Sequence, residues 1–322
     1  MSTLDPGSIL ITGTTGQVGG EILRLFQLIP RYAEALHTPT RSELDLTSAG
    51  SIRSFVRDLK PRWIINPAAY TAVDKAESEP DLAHAINADA PRILGEEARK
   101  IGAAVLHFST DYIFSGASTR PYKEDDPPGP LSVYGHTKLA GEIALAAACP
   151  QHIIVRTSWV YSSTGRNFLL TILRLARERA ASGQPLKIVN DQYGTPTSAR
   201  ELALVAFTIL TAAETSTILL DSFEDAVSDL AGVYHATGAG QTSWFGFARE
   251  IIRQQRERTP GAEFAPLVPI PTSEYPTPAR RPVNSRLNCK KLDRSFGLRL
   301  RPWKEELSGI LDEIPPSAPV SS

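Results

Sequence analysis

A tyrosine and a lysine stand one helical turn apart in "VYGHTKLAGE", as Tyr134 and Lys138. At this spacing both side chains share one face of a helix. A free phenol, with a pKa of about 10, is a poor acid or base at neutral pH. A neighbouring ammonium favours the phenolate and lowers that value. The pair can then give a proton to a carbonyl oxygen while a hydride reaches the carbon. The small neighbours Gly135, Ala140 and Gly141 are expected to leave room for two ligands. A third group, a hydroxyl, can hydrogen-bond the developing alkoxide. "HFSTDYIF" offers Ser109 and Thr110 for this at the end of an apolar run.

A second chemical stretch is "ILITGTTGQVGGEI". Gly13, Gly16 and Gly19 recur every three residues between a strand and a helix, with Gln17 and Val18 in the same turn. Such glycines let the backbone approach a pyrophosphate, which the helix N-terminus then attracts. The spacing G-x-x-G-x-x-G differs from the G-x-G-x-x-G of the common dinucleotide fingerprint. Near the end of the second strand, "ALHTPTRSELDL" has no acid at Thr38 or Thr40, while Arg41 is available to a 2′-phosphate. NADPH is therefore the expected cofactor, with NADH as second choice. Asp45 and Leu46 are expected on the adenine side.

These groups need a sheet to hold them. "SILIT", "AEALHT", "RWIINPAA", "AAVLHFST" and "HIIVRTSWVY" read as strands. "GGEILRLFQLI", "SAGSIRSFVRDLK", "DLAHAINADAPRILGEEARKIG" and "YGHTKLAGEIALAAA" read as helices between them. Continuous apolar strands alternating with helices predict an α/β fold, a Rossmann-type doubly wound parallel sheet covered on both faces. In this reading "NPAAY" follows the fourth strand, "AAVLHFST" is the fifth and "HIIVRTSWVY" the sixth. Ligands then lie beyond the carboxyl ends of the strands.

Residues 8–161 form the dinucleotide-binding domain, which also recruits about 195–237. There "SARELALVAFTILTA" is helical and "GVYHAT" rejoins the sheet. Residues 162–194 and 238–313 form a smaller, mixed α/β substrate lobe, proline-rich and extended after 259. Residues 1–7 and 314–322 read as flexible tails. In "NDQYGTPT", either Gly194 and Pro196 make a rigid turn and Thr197 caps the helix that follows, or the string touches the substrate.

The chain has 322 residues, enough for a large core, and its 42% hydrophobic and 21% charged content is that of a soluble protein. A net charge of −1 argues against a nucleic-acid partner. No run approaches the roughly 18 consecutive apolar residues of a membrane span. The N-terminus lacks a signal-peptide pattern. Two cysteines are too few for a disulfide framework or a zinc site. A cytoplasmic protein with a small-molecule substrate is expected, with no membrane partner.

The glycine turn and the Thr110, Tyr134 and Lys138 set resemble the extended short-chain dehydrogenase/reductases. The strings "TGQVG", "TAVDKAESEP", "STDYIFSG", "VYGHTKLAGE", "RTSWVY", "NDQYGTPT" and "YPTPARRPVNSRL" narrow the likeness. Over about residues 8 to 310 they are similar to the dTDP-4-dehydrorhamnose reductases. This resemblance implies reduction, by NADPH and often NADH, of the C4 ketone of dTDP-4-dehydrorhamnose to dTDP-L-rhamnose, the last step of dTDP-L-rhamnose biosynthesis.

By position, the resemblance makes Thr110 the triad hydroxyl and Tyr134 the proton donor. Lys138 becomes its activator and a ligand of the nicotinamide ribose. It sets Asn66, Ala68 and Ala69 over the cofactor. It turns Thr71, Val73, Asp74, Asp111, Tyr112 and Trp159 toward the substrate. Arg281 in "PARRP" either meets a diphosphate or forms an exposed ion pair. Two departures stand out. Pro67 replaces an alanine usual in the family, which removes an N–H and fixes φ. Some members bind Mg²⁺ between the subunits of a homodimer. Glu21 matches one such ligand, but Arg200 falls at the other, beside Glu201, and a cation there should repel the metal. Two further readings fit the same fold: another sugar-nucleotide reductase or epimerase, and a non-catalytic NADP-binding regulatory subunit. An epimerase retains its cofactor, so net turnover of added NADPH separates it from a reductase.

Overall fold

Ile9–Ile11 is apolar at every position and fully buried, and it forms β1, one strand in from the edge of a sheet. The structure, a computed structural model, describes residues 6–315. Most of the two expected tails, 1–5 and 316–322, lies outside the described residues. After β1 come α1 (Gln17–Gln27), β2 (Leu36–His37), α2 (Ala49–Leu59) and β3 (Trp63–Asn66). The chain continues through α3 (Pro80–His84), α4 (Ala90–Ile101), β4 (Ala104–Thr110), α5 (Val133–Ala148) and β5 (His152–Thr157). Its second half contributes α6 (Phe168–Glu178), β6 (Leu186–Val189), α7 (Ala199–Leu220), α8 (Phe223–Leu230) and β7 (Gly232–His235). It ends with α9 (Trp244–Arg258), β8 (Leu267–Ile270), α10 (Lys290–Phe296) and α11 (Trp303–Asp312).

Six strands pair in the order β7-β5-β4-β3-β1-β2, all parallel. From β1 the chain steps outward to β2, then returns over α2 to lay β3 on the other side of β1. That reversal opens a crevice at the carboxyl ends of β1 and β3, where such sheets bind ligands. It also corrects the strand count. The strand ending in "HFST" is the fourth in the chain and "HIIVRT" the fifth, because only β1, β2 and β3 come before β4 among the described residues.

Side chains alternate across the strands. Leu10, Ile64, Val105 and Ile154 meet α2, α4 and α5 on one face. Ile9, Ile11, Ile65 and Leu106 meet α1 and α7 on the other. A separate core joins Leu173 of α6, Ile188 of β6, Phe247 and Ile251 of α9, and Leu307 of α11. There β6 pairs in parallel with β8.

Two helices differ from expectation. The stretch expected as one helix from Asp81 contains a π-helical turn, Ala85–Asp89, between α3 and α4. Pro91 has no N–H for the Asn87 carbonyl four residues back, so the ladder widens there. α7 continues to Leu220, past the expected end near Ala212, and by length and composition could cross a membrane. Instead Leu202, Ala206, Ile209 and Leu210 are buried in the sheet core. The cap before α7 is Ser198, whose side chain accepts from the Glu201 N–H, and not Thr197.

Candidate active site

The crevice is a cleft of about 850 Å³. One end is built on the glycine turn. Gly13 sits at φ +61°, a region that favours glycine, and a Cβ there would press on Ala68 at 2.9 Å. Gly16 is the N-cap of α1 and brings no side-chain cap, so the first N–H groups of the helix stay open to an anion. Val18 and Gly19 line the cleft beside it. The Gln17 side chain is committed elsewhere: its Oε1 accepts from Ser162 Oγ at 3.1 Å and Asn167 Nδ2 at 2.9 Å. That ties the loop after β5 to the turn and leaves the Gln17 backbone for a ligand.

Arg41, Asp45 and Leu46 line the far end. Asp45 Oδ1 accepts from the N–H and hydroxyl of Thr47, at 2.9 and 2.7 Å, and these bonds hold its carboxyl below the usual range. An uncapped helix N-terminus, a glycine cradle and a cationic far wall together fit a dinucleotide. Pro67, Ala68 and Ala69 close the side at the end of β3.

At the chemical end Thr110 terminates β4, while Tyr134 and Lys138 project from α5. The Thr110 hydroxyl donates to Asp111 Oδ1 at 3.1 Å and accepts the Tyr112 N–H at 3.2 Å. Burial pushes the Tyr134 phenol up to about 12, with its hydrogen bond to Thr110 acting the other way. Burial thus outweighs the lowering expected from Lys138. Lys138 Nζ turns instead to the Phe108 carbonyl at 2.7 Å and to His107 Nε2 at 3.0 Å. Burial lowers Lys138 itself to about 8, opposed by the charge of Glu142. It also raises Asp111 to about 6, against hydrogen bonds from Ser285 and Thr110.

The small residues around this pair serve a different end from the one expected. A Cβ at Gly135 would run into the Tyr112 carbonyl, and one at Gly141 into the Asn87 carbonyl. They admit neighbouring backbone rather than ligand.

On the substrate side Thr71, Val73, Asp111, Tyr112 and Trp159 line the cleft. Asp74 does not reach it; its carboxylate accepts from Arg281 Nη2 at 2.8 Å and from the Ala279 N–H at 3.3 Å. Arg281 is thus held in an ion pair across the chain. Asn66 is set behind the wall, 1% exposed, and bonded to Thr12 and His107. Trp159 has φ +49°, rare for a bulky side chain. Its indole stacks on Trp244 at 3.5 Å, and Gly194 leaves the space it occupies.

Three residues of the site were missed in the sequence. His107 is buried behind Lys138, Trp244 backs Trp159, and Asn87 grips the Tyr70 backbone through both its N–H (2.8 Å) and its carbonyl (3.1 Å). His107 alone left a signal: a polar side chain inside the apolar run "AAVLHFST". Asn87 and Trp244 are distant in sequence from what they hold.

The residues do not fit the magnesium site that the resemblance raised. Glu21 is bonded to Arg24 at 2.6 and 3.0 Å. Arg200 donates to Glu306 at 2.9 Å and to Glu313 at 2.8 Å. Glu201 accepts the Arg301 N–H at 2.9 Å. Among the described residues no three metal-binding side chains converge.

Sheet, glycine turn and Tyr-x-x-x-Lys pair place the molecule among the nicotinamide-dependent oxidoreductases of the short-chain type. Residues 7–315 match the family model described as the RmlD substrate binding domain, and the chain belongs to that family. It is 44% identical to a dTDP-4-dehydrorhamnose reductase of Sinorhizobium fredii over 297 residues, covering 92% of this chain and 94% of that one. It is 42% identical to the dTDP-4-dehydrorhamnose reductase of Salmonella typhimurium over 308 residues, 95% and 98% of the two chains. The dTDP-4-dehydrorhamnose reductase of Bacillus anthracis, solved in complex with NADP, superimposes with a TM-score of 0.83 at 31% identity, covering 95% of this chain and 99% of that one.

Proposed function

We infer that this protein reduces the C4 ketone of dTDP-4-dehydrorhamnose to dTDP-L-rhamnose, the last step of dTDP-L-rhamnose biosynthesis. The observation that carries the reading is the placing of Thr110, Tyr134 and Lys138 in one cleft with the glycine turn. A reduced nicotinamide, when bound, supplies the hydride. NADPH is the favoured form, supported by Arg41 on the adenosine wall and the absence of an acid at Thr38 or Thr40.

The protein's own residues supply the rest. The C4 carbon gains a hydride, and its oxygen must gain a proton. Tyr134 gives that proton from its phenol, which burial keeps protonated. Thr110 turns its one hydroxyl proton from Asp111 to the oxygen as charge builds on it. Lys138 is the cation next to the phenol, stabilising the phenolate left behind. The N–H groups opening α1 hold the pyrophosphate, with Gly13, Gly16 and Gly19 allowing its approach. Trp159 and Tyr112 wall the sugar and shield it from water.

The test is oxidation of NADPH on mixing with dTDP-4-dehydrorhamnose, with NADH in parallel. Stoichiometric oxidation, faster with NADPH, is the expected result. Tight NADPH binding without oxidation would defeat the reading and favour a non-catalytic NADP-binding subunit.

A further inference from the structure

One buried polar chain ends at the site, and all its members but Lys138 have no role in the reaction as described. It runs from β1 to α5 through Thr12, Asn66, His107 and Lys138, none more than 2% exposed. Thr12 Oγ1 lies 2.6 Å from Asn66 Oδ1, Asn66 Nδ2 3.0 Å from His107 Nδ1, and His107 Nε2 3.0 Å from Lys138 Nζ.

Counting donors fixes the polarity of this chain. An ammonium has three donors and no acceptor. Lys138 gives one N–H to the Phe108 carbonyl. Glu142, one turn further along α5, is turned to Arg156 in a buried pair, and the bonds from Lys138 Nζ go to the Phe108 carbonyl and to His107. The second N–H faces His107 Nε2, which must therefore present a lone pair. A buried imidazole beside an ammonium is neutral, and a neutral ring that accepts at Nε2 carries its proton on Nδ1. That N–H needs an acceptor, and we assign the Asn66 amide with Oδ1 turned toward the ring, beside the Asn66 backbone that the ring also meets. With the amide nitrogen there instead, the ring proton would sit on Nε2 and point at the ammonium. Amide and ring orientations follow from this accounting. Asn66 Nδ2 then donates to Thr12 Oγ1, which also lies 3.4 Å from the Ala68 N–H.

We propose that His107 is a positioning residue for the reduction: a neutral, Nδ1-protonated imidazole whose Nε2 anchors the Lys138 ammonium and leaves its third N–H for the cleft. With only neutral acceptors on its nitrogen, Lys138 keeps its full charge for the tyrosine and the bound ligand. The proposal rests on the reductase reading of Lys138, and its tests are chosen to separate the two.

The first test needs no substrate. The protein is labelled with ¹⁵N-histidine, and the ring of His107 is identified among the six histidines by its loss in His107→Gln. At neutral pH a protonated Nδ1 and a bare Nε2 are expected; an Nε2–H tautomer or an imidazolium would overturn the proposal. The second test compares two amides. In His107→Gln the side-chain oxygen can reach the place of Nε2, while in His107→Asn the shorter amide reaches only the place of Nδ1. We expect His107→Asn to lose kcat at least roughly tenfold more than His107→Gln, the worth of one hydrogen bond to a charge, with a smaller change in NADPH affinity. Equal losses in the two variants would overturn the anchoring role. Failure of the wild type to turn over dTDP-4-dehydrorhamnose would strike the reductase reading instead, and the ring measurement would still decide the tautomer.

Discussion

Tyr134 is loaded with its proton before the substrate arrives, because burial holds the phenol at about 12. Its removal should therefore stop the chemistry and spare the binding. Tyr134→Phe is expected to lower kcat by about 100-fold or more, while calorimetry finds NADPH affinity little changed. Comparable turnover by the variant would remove Tyr134 from its role. Asp111, one residue beyond Thr110, permits a prediction about stability. Its folded pKa, about 6, is raised above the usual 3.8 by burial. The native state thus binds more protons than the unfolded chain between about pH 4 and 6. Its favourable contribution is complete below about 4 and is lost as pH rises through about 6. Asp111→Asn has no such loss. The Tm of the wild type minus that of the variant should fall between pH 4 and 6 and level off above, by a difference worth on the order of 3 kcal/mol. A pH-independent difference would show that the carboxyl titrates normally.

At the scale of elements, the contact to test is α5 against the π-helical turn at Ala85–Asp89. Gly141 faces the Asn87 carbonyl, and a methyl group cannot be added without moving one element. Gly141→Ala should cost about 1–3 kcal/mol in urea unfolding. It should also raise the KM for the sugar nucleotide, because Asn87 grips the Tyr70 backbone next to Thr71. Unchanged stability would mean that the helices can part freely. This contact shows what the sequence could and could not reveal. The apolar strands, the glycine turn and the Tyr134–Lys138 spacing were legible because each is local and periodic. The order of the strands in the sheet was not, since nothing in "AEALHT" says that the sheet ends there. The purpose of Gly135 and Gly141 was misread for a related reason. Their partners, Tyr112 and Asn87, are brought to them only by the fold. Asp74 likewise points to the site by position in the chain, yet Arg281, some two hundred residues on, draws it away.

For the molecule as a whole, the issue is what balances the acids near the start of α7. Glu201 and Glu306 are almost fully buried, and burial raises Glu201 above the usual carboxylate range. Buried carboxylates need a cation or a dense set of donors. Here both come from the chain. Arg200 reaches Glu306 and Glu313, Arg301 reaches Glu201, and the Ser198 hydroxyl donates to Glu306 at 2.9 Å. The guanidinium of Arg200 also feels the charge of Glu21. A divalent ion entering this cluster would meet two fixed positive charges and would have to displace hydrogen bonds already made. Prolonged dialysis against EDTA should therefore leave both the rate of NADPH oxidation and the elution volume of the native protein unchanged. Loss of either, restored by Mg²⁺, would show that an ion is bound through other groups, and the arginine-for-metal account of this cluster would have to be abandoned.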